Sequence, residues 1–117
     1  MIERIRQPFN VNALALVGAL AALDDDDHVR RTLAMNRAGM AHLTEAFARL
    51  GLAWVPSAAN FVLVRVGDGA RVYDALLRRG VIVRPMAVYG FPEHVRVTIG
   101  TPAENERLVA ALAAVVG

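Results

Sequence analysis

Helices segregated over one small mixed sheet, an α+β fold of the α/β-sandwich kind, is the architecture this sequence predicts. Three observations lead to it. Residues 94–99, HVRVTI, alternate apolar and polar side chains with the period of a strand. Residues 27–50 instead place apolar side chains three and four apart, the period of a helix. Along the chain the signals run helix, long helix, strand, strand, helix, strand, strand, helix, with no repeat and no low-complexity linker. At 117 residues and 56% hydrophobic composition the chain can build one domain-sized core.

Residues 13–23, ALALVGALAAL, are rich in Ala and Leu and predict a helix packed on most of its sides. Asp24 to Asp27 break that pattern and cap the next helix, where carboxylates suit the positive end of the dipole. The long helix is expected from Asp27 to Leu50. Val29, Leu33, Met40, Leu43, Phe47 and Leu50 form one stripe along it, with Asn36 at the missing step, and the stripe reads as a core face. Gly51 ends the helix as a left-handed cap. Leu52 to Val55 is a short strand stopped by Pro56, and Asn60 to Val66 is a buried one.

Residues 70–79 read as an amphipathic helix. Val72, Tyr73, Leu76 and Leu77 are expected to face inward, Arg71, Asp74, Arg78 and Arg79 to face water, and Gly80 to terminate it. Val81 to Arg84 is a strand ended by Pro85, and Met86 to Glu93 is a loop. In the strand from His94 to Ile99, Val95, Val97 and Ile99 share one face and Arg96 and Thr98 the other. Thr101-Pro102-Ala103-Glu104 is a capping box with proline at the first helical position, and the last helix runs almost to Val116.

Composition removes several kinds of chemistry. All 13 of the Lys+Arg residues are arginine, so no lysine side chain can form an imine with a cofactor. The net charge is +2, no basic run is interleaved with aromatics, and 6% aromatic content is too little for base stacking, so no nucleic-acid partner is expected. The lack of cysteine excludes disulfides, thiol catalysis and Cys-ligated zinc, and suits a cytoplasmic setting. His28, His42 and His94 have no metal-ligand spacing, and the four aspartates read as a helix junction, so no metal is expected. Ser57 has no nucleophile-elbow context, and residues 66–70, VGDGA, make a turn and not a phosphate loop. Arg4, Arg6 and the apolar stretch from Val11 to Leu23 have the outline of a secretory leader, but Glu3, Gln7, Pro8, Asn10 and Asn12 interrupt it. That stretch is also shorter than the roughly 20 residues of a membrane span.

Arg84 and Arg96 carry the chemistry that remains. Each sits near a predicted strand end, and if the two strands are neighbours both guanidiniums meet at one edge. A planar guanidinium holds carboxylate or phosphate oxygens through two parallel charge-assisted bonds. Two such forks match a phosphate monoester, which carries about −1.5 to −2 charges at pH 7. Two solvated surface arginines are the alternative, and spacing alone leaves it open.

Five segments together resemble one family. RQPFNVNALA (residues 6–15), ALDDDDHV (22–29), PSAANFVLV (56–64), LLRRGVIVRP (76–85) and VRVTIGTPAENERLVAAL (95–112) are similar, in order, to the C-terminal part of the histidinol-phosphate aminotransferases. These are fold-type I, class I/II enzymes that depend on pyridoxal 5'-phosphate. The resemblance implies ping-pong amino transfer between glutamate and imidazole-acetol phosphate, in histidine biosynthesis, by a homodimer. It implies that the arginines matching Arg84 and Arg96 hold the substrate's phosphate. It also implies that Asn10 and Asn12 lie near the dimer interface and the entrance to the active site. Residues 1–26 would then be a remnant of the large-domain interface, and residues 27–117 the domain-bridging helix and the small domain. The family's cofactor lysine lies upstream of the RQPFNVN segment, so the resemblance implies no catalytic or cofactor-binding residue here and an inactive chain on its own. Residues 1–23 would expose apolar surface that a large domain covers, and so drive self-association. Aromatic-amino-acid aminotransferases and threonine-phosphate decarboxylases share the scaffold. A free-standing anion-binding or oligomerisation module and a secreted protein with a cleaved leader are readings from other classes.

Overall fold

The side chain of Asn12 accepts the Ala15 N–H at 2.7 Å and starts the first helix, α1 (Ala13–Leu23). Asp25 does the same for the second, α2 (Asp26–Arg49), by accepting the His28 N–H at 2.9 Å. The structure is a computed structural model and describes residues 12–116. Contacts divide the chain into two units that meet in sequence between Thr32 and Leu33, within α2.

In the first unit α1 forms where the sequence places it, but it is not packed on most sides. None of its residues is buried, and Leu14 is 85% exposed. The expected stripe on α2 is divided too. Leu43 and Phe47 are fully buried and Met40 and Leu50 pack against them, whereas Val29 and Leu33 stay exposed. Asn36, at the missing step, donates to the carbonyl of Ala59 at 3.2 Å.

The second unit holds the sheet. Its strands are β1 (Trp54–Val55), β2 (Phe61–Arg65), β3 (Arg84–Pro85) and β4 (His94–Thr98). They lie in the order β1-β2-β4-β3, and every hydrogen-bonded pair is antiparallel. The sheet is therefore antiparallel and not mixed. The helix α3 (Gly69–Leu77) does carry the chain from β2 to a strand running the same way, β3, but β4 inserts between the two. Parallel strands exist in this unit without being neighbours.

Alternation sorts the sheet into two faces. Val62 and Val64 on β2 and Val95 and Val97 on β4 are buried on one face. Leu43 and Phe47 of α2, Val72 and Leu76 of α3, and Leu108 and Leu112 of α4 (Pro102–Val116) complete the same core cluster. Leu77, expected to face inward, is 41% exposed. Three helices thus cover one face and leave the other, with Phe61, Leu63, Arg65, His94, Arg96 and Thr98, free of core.

Two helices end in the same closure. After α2, Leu52 N–H bonds to the Phe47 carbonyl at 2.9 Å and Gly51 N–H to Ala48 at 3.0 Å, with Gly51 at φ 69°. After α3, Val81 N–H bonds to Leu76 at 3.0 Å and Gly80 N–H to Leu77 at 2.9 Å. The second closure corrects one expected strand. Residues 81–83 do not join β4, because the Val81 amide is tied to the helix. Pairing begins only at Arg84 and includes Pro85. Proline is tolerated there because β3 is an edge strand. Within the expected loop 86–93, Ala87–Tyr89 forms a single 3-10 turn. Among the described residues, no helix is long and apolar enough to cross a membrane.

Candidate anion-binding site

Arg96 is the middle residue of β4, not its end, and it has a partner on each side. On β2 it pairs with Leu63, and on β3 it pairs with Arg84. The two arginines the sequence singles out are thus direct cross-strand partners on the helix-free face. Like charges placed directly opposite on adjacent strands destabilise a sheet. Arg84 is exposed and Arg96 half-buried.

A third arginine on this face shows the usual remedy. Arg65 donates from Nε and one Nη to both carboxylate oxygens of Glu93, at 3.2 and 3.0 Å. That hydrogen bond, and then the guanidinium's charge, hold the Glu93 carboxyl below its ordinary value and push the Arg65 pKa up. Among the described residues the ion pairs are Arg65–Glu93, Arg30–Asp27 and Arg78–Asp74. None of these carboxylates is on Arg84 or Arg96. Arg96 has an aromatic neighbour instead, with its guanidinium carbon 5.2 Å from the centroid of the Phe61 ring.

Both arginines line one cleft of about 540 Å³. Ile82, Val83, Pro85 and Val88 give it apolar walls, and Tyr73 and Thr98 add hydroxyl groups. Two guanidiniums, two hydroxyls and an aliphatic wall can hold an oxyanion attached to an organic group. Glycine-rich phosphate geometry plays no part in this cleft.

The Oδ1 of Asn12 is engaged in capping α1, and Asn10 lies outside the described residues. His28 Nε2 lies 3.5 Å from the Thr32 hydroxyl, while His42 Nε2 and His94 Nδ1 are buried without a partner among the described residues. No three His, Cys, Asp or Glu side chains among the described residues come together as a metal site. Sequence reading missed Phe61 and the lining role of Tyr73. The alternation of NFVLVRV does put Phe61 on the face opposite Val62 and Val64, but only the β2–β4 register brings it beside Arg96.

Comparison with known proteins bears on the same chain. It matches the family described as Aminotransferase class I and II over residues 1–112. It is 60% identical over 116 residues to histidinol-phosphate aminotransferase 2 of Ralstonia nicotianae, covering 96% of this chain and 31% of the relative. It is 58% identical over 113 residues to the histidinol-phosphate aminotransferase of Symbiobacterium thermophilum, with 96% and 31% covered. The chain therefore spans about 31% of the length of these curated relatives. Among solved structures, the histidinol-phosphate aminotransferase of Sinorhizobium meliloti, in complex with pyridoxal-5'-phosphate, superposes with a TM-score of 0.85 at 29% identity. That match covers 98% of this chain and 33% of the other. With the family profile matched almost end to end, this chain belongs to the class I and II aminotransferases.

Proposed function

We propose that this chain is the bridging helix and C-terminal small domain of a histidinol-phosphate transaminase, and that Arg84 and Arg96 hold the phosphate of its substrate. The reaction of the whole enzyme is then amino transfer between glutamate and imidazole-acetol phosphate, giving 2-oxoglutarate and histidinol phosphate in histidine biosynthesis. The observation that carries the reading is the cross-strand juxtaposition of Arg84 and Arg96 on one cleft, with no carboxylate paired to either among the described residues. Relatives near 60% identity with that activity support the choice of substrate.

Pyridoxal 5'-phosphate supplies the electron sink for amino transfer in such an enzyme. This chain has no lysine to carry it, so its residues do not fit covalent attachment and the cofactor belongs to another part of the whole protein. What this chain does is bind and orient. A phosphate remote from the reacting carbon supplies binding energy and fixes the angle of approach. Residues 1–26 are in this reading the interface segment, with Asn10 and Asn12 near the entrance, and the whole enzyme is a cytoplasmic homodimer. The isolated chain has no transaminase activity.

Titration with ethyl phosphate, followed by the side-chain Nε resonances of arginine in NMR spectra, tests the site. Hydrogen bonds to charged groups contribute enough that Arg84→Ala or Arg96→Ala weakens binding about tenfold or more. Equal affinity in both variants and the unmodified chain sinks the assignment.

A further inference from the structure

We propose that Phe61 is a positioning residue for Arg96, holding its guanidinium by the flat face so that the edge donors stay free for an anion. The proposal rests on the anion-holding reading of Arg84 and Arg96. In the β2–β4 register Phe61 faces Thr98 and Leu63 faces Arg96, so Phe61 is the diagonal neighbour of Arg96 on the same face of the sheet. Diagonal neighbours are within reach of an aromatic ring and a long side chain. The guanidinium carbon lies 5.2 Å from the ring centroid, within the range of a cation–π contact.

A comparison of Arg65 with Arg96 shows why an aromatic ring suits the position. Arg65 is held by Glu93, which takes two of its donors and neutralises its charge. A carboxylate on Arg96 would likewise compete with the incoming anion for the same fork. The ring attracts the cation through its quadrupole, carries no net charge and uses no N–H donor. It therefore orders Arg96 while leaving its charge and its bidentate edge available. It also offsets part of the repulsion from Arg84 across the strand pair.

The test compares Phe61→Leu, which keeps apolar bulk and removes the π face, with Phe61→Tyr, which restores it. Phe61 lies outside the buried core, so both substitutions leave the helix-covered face intact. In the ligand-free chain the Arg96 Nε–H resonance carries the ring-current shift of Phe61, is displaced in the Leu variant and returns in the Tyr variant, while that of Arg65 stays fixed. Affinity for ethyl phosphate falls about two- to five-fold in the Leu variant, the effect expected of an exposed cation–π contact, and recovers with Tyr. If the unmodified chain binds ethyl phosphate through both arginines and Phe61→Leu leaves both the affinity and the Arg96 resonance unchanged, the positioning role is overturned alone. If the unmodified chain fails to bind ethyl phosphate, or binds it equally well after Arg84→Ala and Arg96→Ala, the anion-holding reading falls first and this proposal with it.

Discussion

Arg84 and Arg96 face each other across adjacent strands, no ion pair among the described residues puts a carboxylate on either, and like charges so placed disfavour the fold. Replacing one charge should therefore help the empty fold. Arg84→Gln is expected to raise the stability of the ligand-free chain by roughly 0.2–1 kcal/mol, the scale of a cross-strand pair. In saturating ethyl phosphate the order is expected to reverse, because the unmodified chain gains more from binding than the weaker-binding variant. Denaturant melts with and without the ligand check both arms, and a ligand-free variant less stable than its parent contradicts the repulsion. Another single-residue constraint sits where α2 meets the loop before α4. A Cβ on Gly39 would lie 2.5 Å from the Ile99 side chain and 2.9 Å from Asn105 Nδ2. Asn105 is only 2% exposed and bonds both the N–H and the carbonyl of Gly100, so it cannot move aside without loss. Gly39→Ala is expected to cost about 1–3 kcal/mol as overpacking, read as a lowered thermal midpoint. The sequence made both arginines visible through their residue type and the alternation of β4. It could not make them partners, because that depends on which strand stands beside β4. The contact between Phe61 and Arg96 was hidden for the same reason.

Helix ends were the most legible elements. The capping box forms as its spacing requires, with Thr101 N–H donating to Glu104 Oε2 at 2.7 Å and Glu104 N–H donating to Thr101 Oγ1 at 3.4 Å. The backbone hydrogen bond from Thr101, and then its hydroxyl, hold the Glu104 carboxyl below its ordinary value of 4.5. A depressed carboxyl pKa means the cap contributes fully above about pH 4.5 and is lost as pH falls through the lowered value. Glu104→Gln should therefore reduce the acid-side slope of stability against pH, measured by urea melts from pH 6 downward. Glu93, held low by Arg65, contributes a slope of the same sign, so removal of both carboxylates is needed to flatten the profile further. An unchanged slope in Glu104→Gln means the cap does not titrate with folding. The strand at 81–84 was the least legible element. Its Val-Ile-Val composition favours a strand, yet the Val81 amide already serves the closure of α3, and a local hydrogen bond three to five residues away outcompetes one that needs a distant partner.

At the scale of the whole molecule, α1 has the composition of a helix meant to be surrounded. Its apolar residues cover all sides and none is buried. Leu14, Val17, Leu20 and Leu23 are 85%, 66%, 65% and 77% exposed. The chain on its own is expected to self-associate, and changing Leu16 and Leu20 to Gln should shift sedimentation toward monomer. A monomeric parent at high concentration contradicts this. The fold class, the helix order and the core face of α2 from Met40 onward were readable in the sequence, whereas the pairing order of the sheet was not, because β4 inserts between β2 and β3. That insertion also fixes a sequence of events during synthesis. A nascent chain emerging from the ribosome delivers β1, β2 and β3 before His94, and β2 and β3 have no contact to make with each other until β4 arrives. Only the β1–β2 hairpin can form before then. The strand that brings Arg96 is thus the one that joins β3 to the sheet, so Arg84 gains its cross-strand neighbour only when β4 is in place.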